Sequence, residues 1–157
     1  MINKLFKSKN LNFQILNEGI TKEQIENVIS QDFKGKIDFV QFYLALDGVY
    51  FPEGAEVSTE QFQKDDDEEY YELEIEYIYS IEHINKMWEA IKERSEVAKK
   101  FMETHFSFAR DAAGNEFFIE IPTGMIKYIS WEYDIEEGLI GVANNFKEFC
   151  LAIEPLI

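Results

Sequence analysis

The sequence predicts an α+β domain: a mainly antiparallel sheet with a central meander, packed with N-terminal, middle and C-terminal helices. Three observations carry this prediction. Helix-start signatures recur at Ile20–Ile25, Ile37–Phe42 and Asn145–Glu148. Period-two alternation runs through Tyr71–Tyr79. Three more strand-like runs, His105–Arg110, Glu116–Ile121 and Met125–Trp131, are joined by links shorter than the dozen or more residues that a parallel crossover needs.

In order along the chain, Thr21 is the expected N-cap of a first helix, with Gln24 closing a capping box and Ile20 stapling to Ile25. The apolar stripe Ile25, Val28, Ile29, Phe33 takes this helix to about Phe33, and Gly35 suits the left-handed residue that ends it. Asp38 is the expected cap of a short second helix, with Gln41 three residues on and Ile37 against Phe42. It presents Phe39, Phe42, Tyr43 and Leu46 inward before the Asp47-Gly48 turn.

Residues 51–64 read as a loop, and the alternation after it as a strand. Tyr71, Leu73, Ile75, Tyr77 and Tyr79 face one way and Glu72, Glu74 and Glu76 the other. One long helix is expected next, carrying Ile84, Met87, Trp88, Ile91, Ala98 and Phe101 inward, with Glu96 placed to pair with Lys100. After the meander, Asp134–Gly138 reads as an acidic loop and Leu139–Ala143 as a short strand. A terminal helix from Asn145 buries Phe146, Phe149, Cys150 and Ile153. No repeat, low-complexity segment or linker divides the chain.

At 157 residues and 18.5 kDa one domain is expected, able to bury roughly 70% of its unfolded surface. The amino terminus lacks the apolar run of a signal peptide, and no stretch approaches the roughly 20 residues of a membrane span, so a cytoplasmic location is expected. Cys150 is the single cysteine, which leaves no intramolecular disulfide or multi-cysteine zinc site. Fifteen basic against thirty-one acidic residues give a formal charge of -16, which repels phosphate backbones and favours a basic partner.

Chemistry-bearing patterns are sparse. Cys150 sits on the apolar face of a helix, and His83 and His105 share no metal-ligand spacing; both readings are structural. Asp65-Asp66-Asp67 lacks the alternating ligands, glycine and terminal glutamate of a calcium loop. Asp111-Ala112-Ala113-Gly114-Asn115 is what a hairpin turn needs. No phosphate loop, nucleophile elbow or zinc-protease motif occurs, so no catalytic residue, cofactor or metal is expected. An enzyme with an unrecognised carboxylate site would need a concave pocket holding acids of raised pKa.

The acidic strand stands out. Asp65, Asp66, Asp67, Glu68, Glu69, Glu72, Glu74 and Glu76 place eight acids in twelve residues with no Lys or Arg, half the net charge. Such a run suits a solvated face or a charge-guarded edge; it also suits an anionic docking surface to which Tyr70 adds contact area. A second patch, Glu132, Tyr133, Asp134, Glu136 and Glu137, mixes the same residue types, and also reads as a loop anchored by core aromatics.

Phe106-Ser107-Phe108-Ala109-Arg110-Asp111-Ala112-Ala113-Gly114-Asn115-Glu116-Phe117-Phe118-Ile119-Glu120 resembles the central "F-A-x-D-x-x-G-N-x-F-x-I-D" hairpin of the SUKH superfamily, which includes bacterial immunity proteins and the yeast cell-wall assembly regulator. Phe39–Gly48 looks like the family's early helix running into an Asp-Gly turn, and Asn145–Leu151 like its closing helix. Lys36-Ile37 stands where the family commonly has Leu-Pro, and Trp131-Glu132-Tyr133 where it has aromatic-Asp-His. The resemblance spans most of Ile20–Ile153, so residues 1–157 are expected to form one such domain with its core at about 20–153. In the hairpin, Gly114 and Asn115 suit positive backbone dihedrals.

The resemblance implies a domain without enzymatic activity, an immunity protein that binds and neutralises a polymorphic toxin, frequently a nuclease. A cationic nuclease surface and a partner at -16 are electrostatically matched. The alternative that the same superfamily suggests is an intracellular scaffold or regulatory interaction module.

Overall fold

The computed structural model describes residues 6, 10–62 and 71–156. In chain order they form β1 (Gln14–Ile15), α1 (Lys22–Val28), α2 (Lys36–Ala45), β2 (Val49–Ser58), β3 (Glu72–Ile78), α3 (Ile81–Lys92), α4 (Glu96–Phe101), β4 (His105–Arg110), β5 (Glu116–Glu120), β6 (Ile126–Ile129), α5 (Ile135–Gly138), β7 (Leu139–Ala143), α6 (Phe146–Leu151) and β8 (Ile153–Pro155). Strands β1 to β7 lie side by side in chain order with every neighbouring pair antiparallel; β8 joins the edge of β2 that β1 also uses. The α+β class and the meander are as predicted.

The capping box of α1 forms: Thr21 Oγ1 accepts the Gln24 N–H at 3.1 Å and Gln24 Oε1 accepts the Thr21 N–H at 2.9 Å. The helix stops at Val28, well before Phe33. Lys36 explains the early end, because its ammonium donates to the carbonyls of Ile29 (3.1 Å) and Gln31 (2.7 Å) and to Glu26 (3.2 Å). Gly35 does adopt a positive φ of 92°, but as the N-cap of α2. Asp38 is therefore not a cap; it lies in the first turn, where its charge still meets the positive end of the helix. Ile37 points outward at 79% exposure and does not staple to Phe42.

Residues 51–58, the first part of the expected 51–64 loop, are strand instead, and residues 63 and 64 lie outside the described residues. Pro52, Glu53 and Gly54 sit inside β2, where the pairing with β3 jumps from Tyr50 to Ala55. The bulge absorbs residues that a regular strand would exclude. Ile78 is buried along with Ile75 and Tyr79, while Leu73 and Tyr77 pack against the same core, Tyr77 stacking on its cross-strand partner Tyr50 at 4.8 Å between ring centroids.

The long helix expected across residues 84–101 is two. Ser95 accepts the Ala98 N–H at 3.0 Å and starts α4, and Trp88 Nε1 donates across the break to the Met102 carbonyl at 2.9 Å. Helices cover both faces of the meander. Phe106, Phe108, Phe117 and Ile119 enter the larger core with Phe39, Phe42, Phe146 and Phe149; Phe118 and Ile129 enter a smaller one with Ile91, Ala98 and Met102. Edge-to-face pairs such as Phe39–Phe146 (5.1 Å) and Phe117–Phe149 (5.3 Å) seat α6, each adding about 0.5–1.5 kcal/mol beyond its buried area.

The Asp111–Asn115 turn is built by its own side chains. Asp111 Oδ1 accepts the N–H groups of Ala113 and Asn115, while Oδ2 accepts from Asn115 Nδ2 and from the Tyr128 hydroxyl at 2.8 Å. Gly114 has φ +89°; Asn115, like every described non-glycine residue, does not have a positive φ. Asn115 instead accepts the Trp131 N–H at 2.8 Å, which ties the turn to the end of β6.

Candidate functional site

Sheet register decides where the acidic segments meet. One row crosses the meander through the pairs Tyr77↔Arg110, Arg110↔Glu116, Glu116↔Ile129 and Ile129↔Leu139. Beyond that row, on the same side, lie residues 72–76, the 111–115 turn and the 130–138 connection. The two predicted patches, far apart in sequence, therefore share one end of the sheet.

Their members differ in what they are free to do. Glu72 and Glu74 are exposed and make no ion pair with a described residue, whereas Glu76 is half-buried and accepts from Arg110 Nη2 at 3.2 Å. In the second patch Glu132, Tyr133, Glu136 and Glu137 are exposed. Asp134 instead caps α5 by accepting the Glu137 N–H at 3.0 Å, so the expected loop holds one helical turn. Asp65, Asp66, Asp67, Glu68, Glu69 and Tyr70 lie outside the described residues.

Register also adds two acids that the sequence reading missed. Glu56 on β2 is directly opposite Glu74 on β3 and Glu154 on β8, which puts three carboxylates side by side across three strands. Glu72 stands two pairs further along, opposite Ser58. Burial foremost, then the neighbouring charges of Glu72, Glu154 and Glu74, push the Glu56 carboxyl up from its ordinary range. Like charges directly opposite one another destabilise a sheet, so this row costs stability. Only recognition of β2 and β8 as strands could have revealed it.

The other candidates resolve as structural. Cys150 is fully buried, and burial pushes its thiol up, away from the reactive thiolate. His105 is buried with Nδ1 3.1 Å from the Phe101 carbonyl and Nε2 3.3 Å from Lys127 Nζ, an arrangement that suits a neutral ring protonated at Nδ1. Burial, then Lys127, lowers its pKa to about 4. No group of three or more His, Cys, Asp or Glu among the described residues is arranged to hold a metal ion.

One buried acid does border a cleft. Glu116 Oε1 accepts from the hydroxyls of Ser107 (2.8 Å) and Tyr79 (3.1 Å), and Oε2 from Trp131 Nε1 (2.9 Å). Burial pushes its carboxyl up, and the three donors with Arg94 pull part of the way back.

No family model matches the chain, and no curated protein matches it. Among the described residues no helix is long and apolar enough to cross a membrane.

Proposed function

We propose that this chain is a SUKH-type immunity protein of the cytoplasm that neutralises a basic toxin, a nuclease by its charge class, by covering the toxin's phosphate-binding surface without catalysis. The observation that carries the reading is the row Glu154–Glu56–Glu74 with Glu72 beside it. A fold that needed only solubility would scatter its carboxylates; aligning them costs stability, and a cationic partner recovers that cost on binding. The exposed Glu132, Tyr133, Glu136 and Glu137 extend the surface at the same sheet end, with Tyr133, 56% exposed, supplying aromatic contact.

The test is affinity capture from the native host at low salt, comparing the unaltered protein with an E56Q/E72Q/E74Q/E154Q variant. One basic, toxic protein retained only by the unaltered chain and released by salt supports the proposal. Equal retention by both chains removes the row as the docking element. Retention of several endogenous regulators favours a scaffold role.

A further inference from the structure

A cleft of about 440 Å³ opens between α3 and the β3–β5 part of the sheet, lined in part by Tyr77, Tyr79, His83, Arg94, Arg110 and Glu116. Its volume falls within the roughly 300–1,000 Å³ of small-molecule sites. Both arginines of the chain are here, in a protein with thirty-one acids.

The guanidinium groups are held mainly by ring faces. Arg94, in the α3–α4 turn, gives its backbone N–H to the Ile91 carbonyl, while its guanidinium lies 4.8 Å from the centroid of the Trp131 ring and makes no ion pair with a described residue. Arg110 lies 4.9 Å from the centroid of Tyr77 and gives one N–H to Glu76. Most of their ten N–H donors are thus unspent, in positions set by cation–π contact. Glu116 contributes the opposite function: Oε2 accepts one described donor, Trp131 Nε1, and retains a lone pair for a second. Tyr77 is already stacked between Tyr50 and the Arg110 guanidinium and Tyr79 is buried, so the exposed His83 ring, 4.3 Å from Tyr79, supplies the aromatic surface.

We propose that this cleft binds a nucleoside monophosphate whose base carries an exocyclic amine: Arg94 and Arg110 take the phosphate, the His83 ring takes the base, and Glu116 accepts from the amine. Guanidinium forks match phosphate oxygens in bidentate fashion, and ring stacking accommodates any base. The overall charge of -16 does not forbid an anion here, because exposed charges beyond the roughly 8–10 Å screening length count for little beside two guanidiniums at contact. No member of the Glu154–Glu56–Glu74 row lines the cleft, so this site stands independently of toxin docking.

Titration calorimetry of the full chain with AMP, CMP, UMP, cytidine and inorganic phosphate tests the proposal. AMP and CMP are expected to bind saturably, with UMP, cytidine and phosphate each weaker by about tenfold or more. Arg94→Gln is expected to weaken CMP binding about tenfold with little change in melting temperature, because Arg94 is exposed and its one hydrogen bond in the fold is made by the backbone; Arg110→Gln is expected to weaken binding similarly and, by losing the Glu76 pair, to lower the melting temperature slightly. Absence of saturable binding by every monophosphate, or affinities unchanged in both variants, overturns the proposal. Phosphate alone binding as tightly as CMP overturns the nucleoside assignment.

Discussion

Glu116 and Glu56 are the same residue type on the same sheet, and the fold uses them in opposite ways. Glu116 is 1% exposed and has three neutral donors on its two oxygens. Glu56 is partly exposed and faces Glu74, Glu154 and Glu72. Burial pushes both carboxyls up, but at Glu116 the surroundings oppose that push and at Glu56 they add to it. An acid surrounded by donors holds strands and an indole together; one surrounded by acids weakens the sheet.

Mutations sharpen this contrast because their signs differ. Glu116→Ala is expected to cost the most, about 2–4 kcal/mol in urea unfolding, because Ser107, Tyr79 and Trp131 would each lose an acceptor, two of them in buried surroundings. A loss under about 1 kcal/mol would show that water enters and replaces the carboxylate. Tyr128→Phe should cost about 1 kcal/mol by removing the hydroxyl that donates to Asp111, while leaving the other donors of the turn in place.

Glu56→Gln is expected to stabilise, by less than about 1 kcal/mol, since it removes repulsion and breaks no ion pair. A destabilising result would break the comparison. Its pH signature is distinct: a carboxyl whose folded pKa is raised holds more protons folded than unfolded, so its contribution to stability falls as pH rises through the ordinary carboxylate range into the folded one. The unaltered protein should therefore gain stability over Glu56→Gln as that window is crossed downward, measured as the difference between their unfolding midpoints.

His105 supplies the opposite slope. Its folded pKa of about 4 lies below the ordinary 6.5, so the unfolded chain takes up the proton first and stability is lost as pH falls from 6.5 toward 4. Proton NMR of the ring should show no titration at pH 5–7; a midpoint near 6.5 would place His105 in solvent.

The pattern of residues made some parts of this protein legible without coordinates. Thr21 and Gln24 announced α1, the aromatic alternation of Phe106, Phe108, Phe117 and Ile119 announced the central hairpin, and Phe146, Phe149 and Cys150 announced the buried face of α6. Each is a local signal, a cap or a periodicity contained within a few residues. Pro52 and Gly54 hid β2, Ser95 concealed the helix break in an apolar stripe, and β1 and β8 were too short to show a period.

The candidate site divides in the same manner. Acidity at Glu72, Glu74 and Glu76 was visible as a run, because strand alternation is written in neighbouring residues. The row that completes it was not. Glu56, Glu74 and Glu154 become neighbours only when β8 returns to β2, and Arg94, Arg110 and Glu116 share a cleft only because α3 packs on the meander. Caps, turns and hydrophobic periods are short-range and so belong to the sequence; the meeting of distant charges depends on strand register and helix packing, which exist only once the chain has closed on itself.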